Sequence, residues 1–138
     1  MVLCHMGPTA LPALMELRKD KNVRVRRAAV AALWLATPSS KTIVPALAEA
    51  LKDEDSLVRR HAAGALVNLG SRAEQAVPAL TDVLKDSDSN VRQLAAMTLG
   101  NIGPAAKAAV PVLKELLTDK DTSVAKAAAA ALRRIEGK

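Results

Sequence analysis

Residues 44–70 read VPALAEALKDEDSLVRRHAAGALVNLG. Two apolar patterns stand on either side of the turn Lys52-Asp53-Glu54-Asp55. Before it, Val44 and Leu47 flank Pro45. After it, Val58, Ala62, Ala65, Leu66 and Leu69 share one face of a 3.6-residue period. The stretch predicts two helices joined by a short turn. Asp55 stands three residues before Val58, where its carboxylate can accept from the free amides of the second helix. Gly70 suits a left-handed residue closing that helix. Proline lacks an amide hydrogen and clashes with the preceding turn. The first helix is therefore expected to start well before Pro45 and to kink there. Thr37-Pro38 and Gly103-Pro104 read as a cap followed by proline in the first helical position.

The same pattern recurs along the chain. Pro12, Pro45, Pro78 and Pro111 are each 33 residues apart. Four further columns hold one residue type at that period: Asp20, Asp53, Asp86 and Asp119; Val25, Val58, Val91 and Val124; Ala29, Ala62, Ala95 and Ala128; Leu33, Leu66, Leu99 and Leu132. Asn22, Asp55, Asp88 and Asp121 fill the N-cap position of each second helix. One helix pair cannot bury both of its apolar faces, so neighbouring pairs must stack into a continuous core, with the alanine columns setting a close spacing.

Composition fits this reading. Half of the 138 residues are hydrophobic, yet Trp34 is the sole aromatic residue and Cys4 the sole cysteine. Alanine and leucine favour helix, and a core of small aliphatic side chains leaves little to line a cofactor cavity. One cysteine excludes an internal disulfide and fits a reducing compartment. No apolar run approaches the roughly 20 residues of a membrane span, and Met1-Val2-Leu3-Cys4-His5 lacks the features of a signal peptide. A cytoplasmic location is expected. The net charge of +6 is concentrated at the ends: residues 1–36 carry six basic and two acidic side chains, and residues 103–138 seven and four. A nucleic-acid groove running the whole length would be basic throughout.

The stretches Val44-Pro45-Ala46-Leu47, Leu51-Lys52-Asp53-Glu54-Asp55, Val58-Arg59-Arg60, Ala62-Ala63, Ala65-Leu66 and Leu69-Gly70 resemble HEAT repeats, and most of all the short bacterial type related to phycobilisome bilin lyases. The resemblance covers nearly the whole chain. The expected fold is all-α, a right-handed α–α superhelix of four two-helix repeats at about 4–36, 37–69, 70–102 and 103–138, forming one domain over 1–138. The resemblance implies first helices on the convex side, second helices on the concave side, and a role mainly in recognition. The family's lysine-modifying metal hydroxylases use repeated His-Glu pairs; here His5 precedes Met6 and His61 precedes Ala62. The DNA glycosylases of this type use aromatic residues and an acid in a basic cleft, which one tryptophan cannot carry.

Two sets of residues stand out. Arg26, Arg59 and Arg92 each follow a recurrent acid by six residues (Asp20, Asp53, Asp86), and forked guanidinium–carboxylate pairs would lock unit to unit. Ala125 replaces the arginine in the last unit. A phosphate- or carboxylate-binding basic row is the functional alternative; the structural reading is preferred. The second set consists of second-helix positions that vary while the core columns stay fixed: Arg27, Trp34, Arg60, His61, Leu94 and Met97. Such variation on a concave face is where a partner would be read, and Arg, Trp and Met are favoured in interfaces. For Trp34 packing, as a lid on the stack, is the preferred reading and a partner anchor the alternative. Cys4-His5 and Ser39-Ser40 carry no catalytic constellation, and phosphate-loop and nucleophile-elbow patterns are missing. No catalytic residue, metal site or cofactor is expected. The leading expectation is a scaffold binding a protein or peptide on the second helices. The alternatives are nucleic-acid binding through Arg24, Arg27, Arg60, Lys126, Arg133 and Arg134, an enzyme or enzyme-supporting subunit by family precedent, and self-stacking through apolar ends.

Overall fold

The computed structural model describes residues 11–36 and 40–137. Thr37-Pro38, Ser39, Cys4-His5 and the start of the first unit lie outside the described residues. Among the described residues eight α-helices follow in order: α1 (Leu11–Leu17), α2 (Val23–Ala36), α3 (Ser40–Ala50), α4 (Ser56–Val67), α5 (Val77–Asp82), α6 (Ser89–Ile102), α7 (Val110–Glu115) and α8 (Thr122–Glu136). They pair as α1/α2, α3/α4, α5/α6 and α7/α8. The second helices α2, α4, α6 and α8 pack successively against one another, giving an all-α superhelical stack.

Each turn is built by two side chains, a pair of aspartates in the last three units and Asp20 with Asn22 in the first. The first carboxylate accepts from the amide two residues on: Asp53 from Asp55 at 2.8 Å, Asp86 from Asp88 at 2.9 Å, Asp119 from Asp121 at 2.9 Å, and Asp20 from Asn22 at 2.8 Å. The second side chain then caps the helix: Asp55 accepts from Val58, Asp88 from Asn90, Asp121 from Ser123, and Asn22 from Arg24. The recurring acid–x–acid spacing thus reverses the chain and starts the next helix in one motif.

The proline column behaves in two ways. Pro45 lies inside α3, five residues after its start. In the third and fourth units the chain first forms 3-10 turns at Gly70–Ala76 and Gly103–Ala109; only then do α5 and α7 begin, with Pro78 and Pro111 in their first turn. A single long helix kinked at proline is therefore wrong for these two units. Ala76 (φ −89°, ψ 0°) and Ala109 (φ −85°, ψ −8°) break the ladder just ahead of the proline, which then sits where its missing amide costs nothing. Gly70 and Gly103 enter those turns at φ +55° and +82°, values a Cβ would strain.

The core follows the columns. Leu14, Leu47, Leu80 and Leu113 are buried, as are Ala29, Ala62, Ala95 and Ala128. Val58, Val91 and Val124 are fully buried, while Val25 in the first unit is half-buried. The alanines allow close helix approach, and at Gly100 the approach is closest to its limit: a Cβ there would sit 3.0 Å from Ala131 Cα.

Candidate functional site

The recurrent arginines span two units each. Arg26 Nε donates to Asp53 Oδ2 at 2.9 Å, Arg59 Nε to Asp86 Oδ2 at 2.6 Å, and Arg92 Nε to Asp119 Oδ2 at 3.0 Å. The Nη2 groups of Arg59 and Arg92 complete two-pronged pairs at 3.1 Å, and that of Arg26 reaches its acid at 3.4 Å. The remaining Nη1 reaches back to a backbone carbonyl of its own turn, from Arg26 to Asp20, Arg59 to Asp53 and Arg92 to Asp86. The acid six residues earlier thus contributes its carbonyl, and the carboxylate comes from the following unit. Asp53 and Asp86 each accept from the amide of their own turn while facing the arginine of the preceding unit, Arg26 and Arg59. The Arg92 guanidinium beside Asp119 holds that carboxyl below the ordinary carboxylate range, assisted by the Asp121 amide.

A second rung runs beside the first and was not anticipated. Arg27 donates from Nε and Nη2 to the Asp55 carboxylate at 2.9 and 2.8 Å, and Arg60 Nη2 donates to Asp88 at 3.1 Å. The Arg27 fork keeps Asp55 strongly acidic, against the opposing effect of burial, and Arg27 is in turn held more firmly protonated by it. At Asp88 burial pulls upward, but the Asn90 amide and Arg60 outweigh it and the carboxyl is lowered. Arg27 and Arg60, read from sequence as free to meet a partner, are instead engaged with the N-cap acids of the next unit. Their recurrence 28 residues before those caps was the available signal. The column then changes to Gln93 and Lys126.

The other candidates separate. Trp34 belongs to α2, but its side chain lies outside what the structure describes. His61 is exposed on α4, and Leu94 is half-buried against the core. Met97 is 40% exposed, one of two large hydrophobic side chains so presented among the described residues. It edges a groove between α6 and α8 enclosing about 290 Å³, lined also by Gly100, Asn101, Ala127, Ala130 and Arg134. Asn101 was missed. Its Nδ2 donates to Val67 O at 3.1 Å and its Oδ1 accepts from Arg134 Nη1 at 2.6 Å, tying α4, α6 and α8 together. The polar column Asn68, Asn101, Arg134 on otherwise apolar helices marks it in the sequence.

A second hollow of about 230 Å³ is lined by Leu14, Leu17, Val25, Ala28 and Ala32 at the first helix pair. Val58, Val91 and Val124, the counterparts of its Val25, are fully buried in the later units. Among the described residues, no three His, Cys, Asp or Glu side chains gather to hold a metal, and no helix is long and apolar enough to cross a membrane.

A family model described as HEAT repeats matches residues 11–87 and 44–133. The chain belongs to the HEAT repeat family. Among solved structures, an engineered protein is similar at 31% identity and TM-score 0.75, over 94% of this chain and 64% of its own. A chain of the CpcE–CpcF complex of phycocyanin lyase from Nostoc sp. PCC7120 is similar at 25% identity and TM-score 0.75, over 98% and 56%. Human deoxyhypusine hydroxylase, in complex with glycerol, is similar at 28% identity and TM-score 0.70, over 93% and 44%. This chain therefore spans about half the length of the two enzyme chains. No curated protein sequence matches it significantly.

Proposed function

We propose that the chain is a protein-binding scaffold that seats a segment of another protein across its second helices, in the groove between α6 and α8. The observation that carries this reading is the groove itself: Met97 stands exposed at its edge, and the small side chains of Ala127 and Ala130 leave its floor open. Exposed methionine beside small residues suits an adaptable apolar contact. The neighbouring unit supports the same reading, because Gly64, the counterpart of Met97 in α4, has open space where a Cβ would lie. Met97 is thus a ridge between two low stretches. The similar Nostoc chain is itself described in complex with a protein subunit, which accords with a protein partner. With Arg27 and Arg60 drawn into inter-unit pairs, two of the six cations considered for phosphate contacts are already neutralised.

Selection of peptides from a displayed library tests this. Selected peptides are expected to lose binding to Ala130→Glu and Met97→Asp variants while keeping it on Gln75→Glu, which alters an exposed position of the 3-10 turn ahead of α5. Binding that survives both groove substitutions contradicts the proposal.

A further inference from the structure

We infer that the partner segment seated in the α6–α8 groove is acidic, with a carboxylate taken by Arg134 beside an apolar side chain resting between Met97 and Ala130; this rests on the scaffold reading above. The charge layout carries it. Helices α2, α4, α6 and α8 hold nine Lys and Arg residues and a single acid, Glu136. Five of those cations, Arg26, Arg27, Arg59, Arg60 and Arg92, are each paired with an aspartate of the next turn. Arg134 is treated differently. It is fixed by a neutral amide, Asn101 Oδ1 at 2.6 Å, and Asn101 is itself oriented by Val67 O. Among the described residues no carboxylate lies within 4.0 Å of Lys126, Arg133 or Arg134.

A guanidinium that is positioned but not compensated offers its remaining donors to an incoming anion, and the forked geometry fits a carboxylate or a phosphate. Its place at the edge of a groove lined, apart from Asn101, by Ala96, Met97, Gly100, Ala127, Ala130 and Ala131 adds an apolar requirement. A nucleic-acid phosphate would suit the fork but not the apolar requirement. No aromatic side chain lines the groove to stack a base. Of the four second-helix cations without a carboxylate partner among the described residues, three lie together on α8 and the fourth, Arg24, lies on α2, with none on α4 or α6 to track a backbone across the stack. Asn101 acts as a positioning residue, holding Arg134 toward the groove while leaving its charge intact.

Fluorescence anisotropy on the whole chain tests the inference with three labelled peptides of about twelve residues, ~40 Å when extended. All three share alternate leucines, and the intervening positions are Glu, Gln or Lys; an oligothymidylate of equal length is the nucleic-acid probe. The Glu peptide is expected to bind at least about tenfold more tightly than the Gln peptide, with affinity falling as salt rises, and the Lys peptide more weakly still. Arg134→Gln should remove the Glu-over-Gln preference, Arg134→Lys should restore part of it, and Asn101→Ala should reduce it. Arg24→Gln, a substitution on α2, should leave it unchanged. The methyl resonance of Met97, assigned by its loss in Met97→Ala, should shift on adding the Glu peptide. Equal binding of Glu and Gln peptides that is lost in Ala130→Glu overturns the acidic partner and leaves the scaffold. Binding of no peptide overturns both. Tighter binding of the oligothymidylate, or a Glu preference that survives Arg134→Gln, also overturns the inference.

Discussion

Arg59 and Asp86 meet across the boundary between the second and third helix pairs, Nε to Oδ2 at 2.6 Å, while the same guanidinium holds the Asp53 carbonyl of its own turn at 2.8 Å. One side chain therefore fastens the turn that starts α4 and the turn that starts α6. Both partners are largely buried, with side chains 13% and 7% exposed. Removing one member leaves the other desolvated without its counter-charge. Arg59→Ala is expected to cost about 2–4 kcal/mol, somewhat under the full penalty of a dry pair, and to lower Tm by roughly 8–16 °C. Arg59→Lys should recover little, because an ammonium cannot serve the carboxylate and the carbonyl as a fork does. Thermal melts of the two variants check this; a lysine variant as stable as the parent contradicts it.

The acid side of the stability profile depends on the caps. Asp55, Asp88 and Asp119 all have carboxyls lowered in the folded chain, Asp55 most strongly. A depressed folded value means stabilisation that is fully present above the unfolded value, about pH 4, and lost as pH falls through the folded one. Urea midpoints are therefore expected to hold level from neutral pH to about pH 5 as far as these groups are concerned, then to fall steadily in stronger acid. Arg27→Met raises the Asp55 value toward normal, so its midpoint should be lower at neutral pH and should change less between pH 4 and 2. A variant profile parallel to that of the parent throughout would refute the assignment.

Two glycines make opposite predictions. A Cβ at Gly100 would sit 3.0 Å from Ala131 Cα and 3.2 Å from its Cβ, so Gly100→Ala must push α6 away from α8 and is expected to destabilise by about 1–3 kcal/mol. Gly64 lies mid-helix in α4 with nothing within 4 Å of such a Cβ. Gly64→Ala is expected to stabilise by about 0.5–1 kcal/mol through helix propensity alone. Denaturant titration of both variants reads the signs directly.

How much of this was legible in the sequence follows from the range of each interaction. The caps at Asp55, Asp88 and Asp121 and the buried columns of Leu, Val and Ala depend on spacing within one helix, which the residue order displays. The family membership follows from the same local pattern. The partner of Arg26 depends on how far one unit is displaced from the next, which spacing alone does not contain; the nearby Asp20 was the natural choice, and the carboxylate proved to be that of Asp53. Arg27 and Arg60 were hidden for the same reason, each meeting an acid 28 residues away. The break ahead of Pro78 and Pro111 was obscured because Pro45, in the same column, sits inside a continuous helix. Met97 was visible as a large side chain in a column of small ones. Asn101 was not, since its two bonds go to α4 and α8.

Hydrogen exchange of the whole chain with and without the Glu-containing peptide tests most directly whether the second helices form the binding face. The account predicts slowed exchange confined to the C-terminal half of α6 and to α8, around Met97, Asn101 and Arg134, with α5 and the 3-10 turn at Gly70–Ala76 unchanged. Slowing centred on the first helices, or an unchanged pattern at saturating peptide, would contradict it.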